Sequence, residues 1–237
     1  MVAAFVARFG PKEGVQRAID VGWQLTRAAM MSMVNTSFLK HSFSGCFEGR
    51  EYLDLDTVCL PAATEVGTSR LVAFRGTTIA EGIRVSASFP TIYSPSWAND
   101  PETGHLTRFV DGAISSFLLD APLVEEGADF VLGANCISLP SSTRLSQPFS
   151  NPVWLRAVET LGWLTRLKDG GRSAFVMMHA ASVSDASLAK VVFDSPRLSK
   201  GPHAFYAGGA IRDEARAAVE PAVTAAVKAW RAMRARA

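Results

Sequence analysis

Asp111 is the residue of this sequence that is best placed to do acid–base chemistry. It follows a short segment, residues 108–110, which we predict to be a strand, and it precedes Gly112. In α/β proteins ligands bind beyond the carboxyl ends of strands, and a glycine there lets a backbone or a substrate approach closely. Asp-Gly is also a common turn dipeptide, so on this pattern alone an ordinary strand-end turn is the stronger interpretation.

The histidines and cysteines do not form a recognisable site. The four histidines are scattered, and none has a cysteine or a carboxylate at a metal-ligand spacing, so we expect neither a metal nor another cofactor. The three cysteines are widely spaced and odd in number, which predicts no disulfide framework and fits a reducing compartment. These residues are His41, His105, His179 and His203, and Cys46, Cys59 and Cys136.

Helical and strand patterns alternate ahead of Asp111. Residues 14–39 have the apolar spacing of a helix, and residues 57–64 and 69–74 have the pattern of a β-hairpin. Helical spacing follows over residues 78–88 and ends at a proline. We expect residues 91–107 to be a polar connection that leads into the strand before Asp111.

The alternation continues after Asp111. A short helix is expected before the buried strand at residues 128–134, so this strand should pair in parallel with the strand before Asp111. A helix near residues 154–161, a strand at 174–179 and a C-terminal helix at 211–233, split by Pro221, come next. The predicted class is therefore α/β, in one domain made of an N-terminal helical segment (1–45) and an α/β portion (46–237).

Composition excludes several classes of protein. The 237 residues are 48% hydrophobic and 19% charged, which permits a sizeable core and excludes collagen, coiled coil and disorder. Twenty-four Lys and Arg against 22 Asp and Glu give no electrostatic reason to propose nucleic acid as the partner.

No stretch supplies the roughly 18 apolar residues of a spanning helix, and the apolar start is shorter than a signal-peptide core. We expect a cytoplasmic protein, with peripheral membrane contact as an option.

The last ten residues are the exception to the charge balance. They contain four basic residues and no acidic one, which favours a solvated helix end over a membrane-surface contact. The four residues are Lys228, Arg231, Arg234 and Arg236.

Three segments occur in the order in which the patatin-like phospholipases carry similar ones. They are Gly82-Ile-Arg-Val-Ser-Ala-Ser-Phe-Pro90, Phe109-Val-Asp-Gly-Ala113 and Glu126-Gly-Ala-Asp-Phe-Val131. The predicted hairpin also looks like the family's Thr-x-Leu-x-Thr-Gly region, and residues 204–218 resemble its closing helix. The chain therefore resembles this family over most of its length.

The resemblance implies a three-layer α/β/α fold and a Ser-Asp dyad that hydrolyses lipid esters. In such a dyad a serine on a Gly-x-Ser-x-Gly elbow attacks the ester, an aspartate is its general base, and a Gly-rich loop stabilises the oxyanion. Asp111 occupies the base position, and Ser86 and Ser88 are expected to pack near the site rather than to attack. Neither the elbow nor the loop occurs in the 237 residues. We therefore expect a fold that is incomplete at its N-terminus and a chain that is inactive alone.

Three functions remain open from the sequence. The first is the C-terminal part of a patatin-like serine lipid acyl hydrolase, which acts on an acyl lipid at a membrane surface and requires an N-terminal half. The second is a non-catalytic module of that fold that binds lipid or a partner, including a second copy, through an open sheet edge. The third, a small-molecule α/β binder with no link to lipid, would make the three ordered segments a coincidence.

Overall fold

The structure, a computed structural model, describes residues 1–22, 24, 35–90, 93–116, 118–135, 191–194 and 208–235. These residues combine helices with two small sheets, which confirms the α/β class in general terms. The helices are α1 (Val2–Phe9), α2 (Pro11–Asp20), α3 (Ser37–Phe47), α4 (Ile79–Ser86), α5 (Asp120–Glu125) and α6 (Gly208–Arg234). The strands are β1 (Ala62–Glu65), β2 (Leu71–Ala73), β3 (Ser96–Asn99), β4 (Leu106–Asp111), β5 (Leu132–Asn135) and β6 (Val191–Asp194).

The larger sheet is antiparallel throughout, with strand order β2-β1-β4-β3. The β1–β2 pair is the hairpin that the sequence predicts, although β1 begins at Ala62 and not at residue 57. On the other side of β1, Ala63 pairs with Asp111, which fixes the end of β4 beside a central strand. The smaller sheet is the parallel pair of β5 and β6.

The chain begins with two short helices, α1 and α2, that contact each other closely. Gly10 has a φ of 79°, and Pro11 occupies the first turn of α2, where its missing N–H costs nothing. Gly14 allows this close packing because it has no side chain: a Cβ at this position would lie 2.4 Å from the carbonyl oxygen of Phe5. The predicted helical span of residues 14–39 contains most of α2 and the first residues of α3, but α2 starts earlier, at Pro11, and ends at Asp20, and the apolar run ahead of it is also helical.

Helix α4 connects the helical part to the sheet. Thr78 caps its start, since the Thr78 side-chain oxygen accepts a hydrogen bond from the N–H of Glu81. On one side Ile79 and Ile83 join a core with residues of α1, α2 and α3. On the other side Val85 packs in a second core, which also contains Ala63, Val72, Phe74, Ala98 and Phe109 of the sheet region.

Three further predictions are corrected by the structure. The expected polar connection at residues 91–107 contains strand β3, and its four residues pair with β4. The strand after α5 pairs in parallel with β6 and not with β4, since β4 already has β1 and β3 as neighbours. Pro221 does not split the C-terminal helix, because α6 is continuous through it.

Some predictions fall on residues that the structure does not describe. These are the helix near residues 154–161, the strand at 174–179, and the side chains of Cys136, His179 and His203. The division of the chain at residue 45 stays a prediction. Within the described ranges, no helix is long and apolar enough to cross a bilayer.

Candidate functional site

Asp111 is the last residue of β4, as the sequence predicts. Its backbone N–H donates a 3.0 Å hydrogen bond to the carbonyl oxygen of Ser88, just beyond the end of α4. Next to it, a Cβ on Gly112 would lie 2.5 Å from the carbonyl oxygen of Ala62 in β1. The strand end therefore lies in a narrow space between β1 and the end of α4, and only glycine fits the position after Asp111 without a shift of backbone.

The carboxylate of Asp111 is held by one of its two oxygens. Oδ1 accepts a 2.9 Å hydrogen bond from the N–H of Ala113 and so caps the short 3₁₀ turn Gly112–Ile114. Among the described residues no donor binds Oδ2. Thr64 supports the same turn from β1, since its hydroxyl donates to the carbonyl oxygen of Asp111 at 3.1 Å. The carboxylate is thus fixed in orientation and keeps an oxygen that can accept a proton.

Burial raises the pKa of the Asp111 carboxyl above its usual value. The N–H of Ala113 and the positive charge of the Met1 amino group act in the opposite direction and are weaker. The side chain itself is partly buried. A carboxyl with a raised pKa is a stronger base once ionised, which suits the removal of a proton from a hydroxyl.

The start of α1 lies close to Asp111. Burial lowers the pKa of the Met1 amino group, while the charges of Cys59 and Asp111 act to raise it. The Cys59 thiol is half-buried, and burial raises its pKa, with the Met1 amino group opposing. The first residue of the chain, a thiol and the Asp111 carboxyl therefore occupy one neighbourhood. No pattern in the sequence links these three positions, because their proximity depends on how α1 packs.

Ser88 packs behind the site and is not exposed for attack, as expected from the sequence. Its side chain is fully buried, and its hydroxyl donates a 2.8 Å hydrogen bond to the carbonyl oxygen of Arg84. The same hydroxyl contacts the Ser96 hydroxyl, which lies 3.0 Å from that of Thr36. This buried row of hydroxyls joins α4, β3 and the residues before α3.

Arg84 completes the buried polar network. It is 7% exposed, and its guanidinium donates to the carbonyl oxygen of Trp97 at 2.7 Å and pairs with Glu81. Lys40 also reaches Glu81, at 3.0 Å. The network fixes the end of α4, from which Ser88 holds the backbone of Asp111.

Apart from Cys59, the other described histidines and cysteines have no interaction with Asp111 in the structure. His41 and His105 are exposed, and Cys46 and Cys59 are free thiols. Within the described part of the chain, no group of three or more His, Cys, Asp or Glu side chains could hold a metal ion.

Two described cavities also lie away from Asp111. One, of about 230 Å³, is lined by residues of α1, α2 and α3, including Phe5, Phe9, Arg17 and Cys46. The other, a shallow groove of about 330 Å³, runs along α6. Neither has Asp111 in its lining.

No protein-family model matches the chain, and no curated protein matches its sequence. The function must therefore be inferred from the geometry around Asp111 and from the three sequence segments.

Proposed function

We propose that this chain supplies the general base of a patatin-like serine lipid acyl hydrolase, with the serine elbow and the oxyanion loop provided by residues outside this sequence. In this reaction Asp111 accepts the proton of the serine hydroxyl while the serine oxygen attacks the acyl carbonyl. The proton then passes to the leaving alcohol, and a water molecule, activated by the same carboxylate, hydrolyses the acyl-enzyme. The substrate is an acyl lipid, reached at a membrane surface.

The observation that carries this proposal is the position of Asp111 beside the start of α1. A nucleophile elbow is a sharp turn between a strand and a helix, and the serine lies just before the helix begins. An elbow joined to the N-terminal end of α1 would bring a serine hydroxyl into the neighbourhood of the Asp111 carboxylate, whose charge already acts on the Met1 amino group. The positive end of the helix would favour the oxyanion there.

Two of the three segments that resemble patatin-like phospholipases contact each other, which gives further support. Ser88 belongs to the first segment and Asp111 to the second, and the hydrogen bond between their backbones joins them. The first segment thus has a structural task at the site, which is to fix the strand end that bears the base.

A non-catalytic module is the second candidate function. It is favoured by the absence of Asp111 from the linings of the two described cavities. Such a module would keep the base position as an ordinary strand-end turn, with the Ala113 N–H as the partner of its carboxylate.

The two functions are distinguished by supplying the serine. An N-terminal fusion would place a strand, a Gly-rich loop and a Gly-x-Ser-x-Gly elbow from a patatin-like hydrolase directly ahead of Met1. We expect this fusion to hydrolyse a p-nitrophenyl acyl ester and a phospholipid. Asp111→Asn should lower the rate by about 10²–10⁴-fold, because the amide cannot accept the serine proton.

Asp129→Asn is the matched control, since Asp129 is an exposed aspartate outside the site. It should leave the rate of the fusion unchanged. A folded fusion without hydrolysis, or one in which Asp111→Asn is as active as its parent, would exclude Asp111 as the base and leave the module.

A further inference from the structure

Helix α6 carries an exposed apolar strip along one side. The strip consists of Val223, Val227 and Trp230, whose exposed fractions are 41%, 40% and 38%. Their spacing of four and three residues places them on one face of the helix. Ala226, three residues after Val223 and four before Trp230, lies at the edge of the strip and is 3% exposed, so α6 packs on the protein along one edge of the strip.

Basic side chains border this strip. The C-terminal half of α6 carries three of them and no acidic residue. They are Lys228, Arg231 and Arg234. Lys228 and Arg231 line the shallow groove together with Val223 and Val227. The Arg234 guanidinium lies 5.2 Å from the centre of the Trp230 ring. Apolar and cationic groups therefore share one surface.

The combination selects against several partners. A second copy packed in parallel on the strip would bring the same three cations together, and like charges repel. Nucleic acid would use the cations but would gain little from exposed valines, and the net charge of the chain is only +2. An anionic bilayer uses both features, because phosphate headgroups pair with the cations while valine and tryptophan enter the interface.

We propose that the strip and the three cations of α6 form a docking surface for an anionic lipid bilayer. Helix α6 has 27 residues, enough to span a bilayer in length, but it is too polar to cross one. Docked in this way, α6 lies in the plane of the interface, with Trp230 at headgroup depth. This inference does not depend on the chemistry of Asp111.

The test is cosedimentation of the full chain with vesicles of phosphatidylcholine containing phosphatidylglycerol, and with vesicles of phosphatidylcholine alone. We expect binding to the anionic vesicles, weakening as salt is raised, and little binding to the neutral ones. The double variant Lys228→Gln/Arg231→Gln should bind about 25-fold more weakly, from about fivefold for each charge near the surface. Trp230→Ser should weaken binding as well.

Arg216→Gln is the matched control, because Arg216 is an exposed arginine of the same helix with acidic Asp213 and Glu220 three and four residues away. It should bind like the parent, and circular dichroism should show equal helix content in all variants. Equal binding to neutral vesicles, no binding to anionic ones, or an equal loss in Arg216→Gln would overturn the proposal. So would a dimer that Trp230→Ser dissociates without any vesicle binding. Asp111→Asn should bind vesicles normally, so this test and the test of hydrolysis fail separately.

Discussion

The backbone N–H of Asp111 donates to the carbonyl oxygen of Ser88 at 3.0 Å, so the residue proposed as the base is anchored by a serine that is itself fully buried. The anchor uses the main chain of Ser88, while its hydroxyl is engaged elsewhere, with Arg84 and Ser96. The main chain of Ser88 therefore holds Asp111, while its hydroxyl belongs to the buried polar network. A substitution that removes only the hydroxyl tests the two roles separately.

Ser88→Ala should lower stability and leave the proposed chemistry intact. The substitution removes a buried hydrogen bond to the Arg84 carbonyl, at a cost of about 1–2 kcal/mol in the free energy of unfolding. The backbone bond to Asp111 stays, so the fusion with a serine elbow should keep its rate within about threefold, far from the loss of a general base. Urea unfolding and ester hydrolysis measure the two effects. A collapse of the rate with unchanged stability would mean that Ser88 reacts.

Gly112→Ala should destabilise the fold through a backbone clash. The new Cβ would lie 2.5 Å from the carbonyl oxygen of Ala62, and this atom belongs to a central strand that cannot move freely. We expect a loss of about 1–3 kcal/mol, typical of overpacking. Gly76→Ala is the control, since a Cβ on Gly76 would meet nothing within 4 Å, and its stability should stay equal or rise by up to about 1 kcal/mol. Equal stabilities of the two variants would contradict the close approach.

Arg84→Ala should cost much more than the removal of an exposed arginine. The Arg84 side chain is 8% exposed and pairs with Glu81, so its loss leaves a partly buried carboxylate with Lys40 as its remaining cation. We expect a loss of about 3–5 kcal/mol. Arg212→Ala, whose side chain is 44% exposed and pairs with Asp213, should change stability by less than about 1 kcal/mol. Thermal unfolding of the two variants side by side makes the comparison.

Local sequence signals predicted the elements whose stability is local. The β1–β2 hairpin follows from two strand patterns joined by a short turn that contains a glycine, and helix α4 follows from its apolar spacing and the proline after it. Strand β3 escaped detection because its inward side chains are small, Ser96 and Ala98, while its large side chain, Trp97, is 58% exposed. This reverses the pattern by which a half-buried strand is recognised.

The errors in topology have a different origin. Apolar character predicted a buried strand at residues 128–134, whereas β5 covers Leu132–Asn135 and Leu132 is exposed. The pattern also could not choose between β4 and β6 as a partner, since pairing is decided by which edges are free. Proline at position 221 removes one helical hydrogen bond, yet its position is exposed, where water can satisfy the freed carbonyl. In both cases the outcome depends on the surroundings of the segment in the folded protein, which a local pattern does not contain.

The same division applies to the candidate site. Asp111 at a strand end and Gly112 at a close approach were predicted from adjacent residues. The nearness of Met1 and Cys59, and the bond to Ser88, depend on packing between segments far apart in the chain. Sequence patterns therefore predicted where the carboxylate lies in the strand, but not which distant residues surround it.

Asp111→Asn should be more stable than the parent at neutral pH. Burial raises the pKa of the Asp111 carboxyl in the folded state, so folding disfavours its ionised form. The stability that the protonated carboxyl contributes is complete below the unfolded pKa and is lost as the pH rises through the folded pKa. An amide does not ionise and escapes this loss, while its oxygen can still accept the Ala113 N–H. The advantage of the variant should therefore be largest at neutral pH and should disappear in acid, as urea unfolding over a series of pH values would show. A variant of Asp111 that is less stable than the parent at neutral pH would mean that the carboxylate is stabilised in place, and the account of its basicity would be wrong.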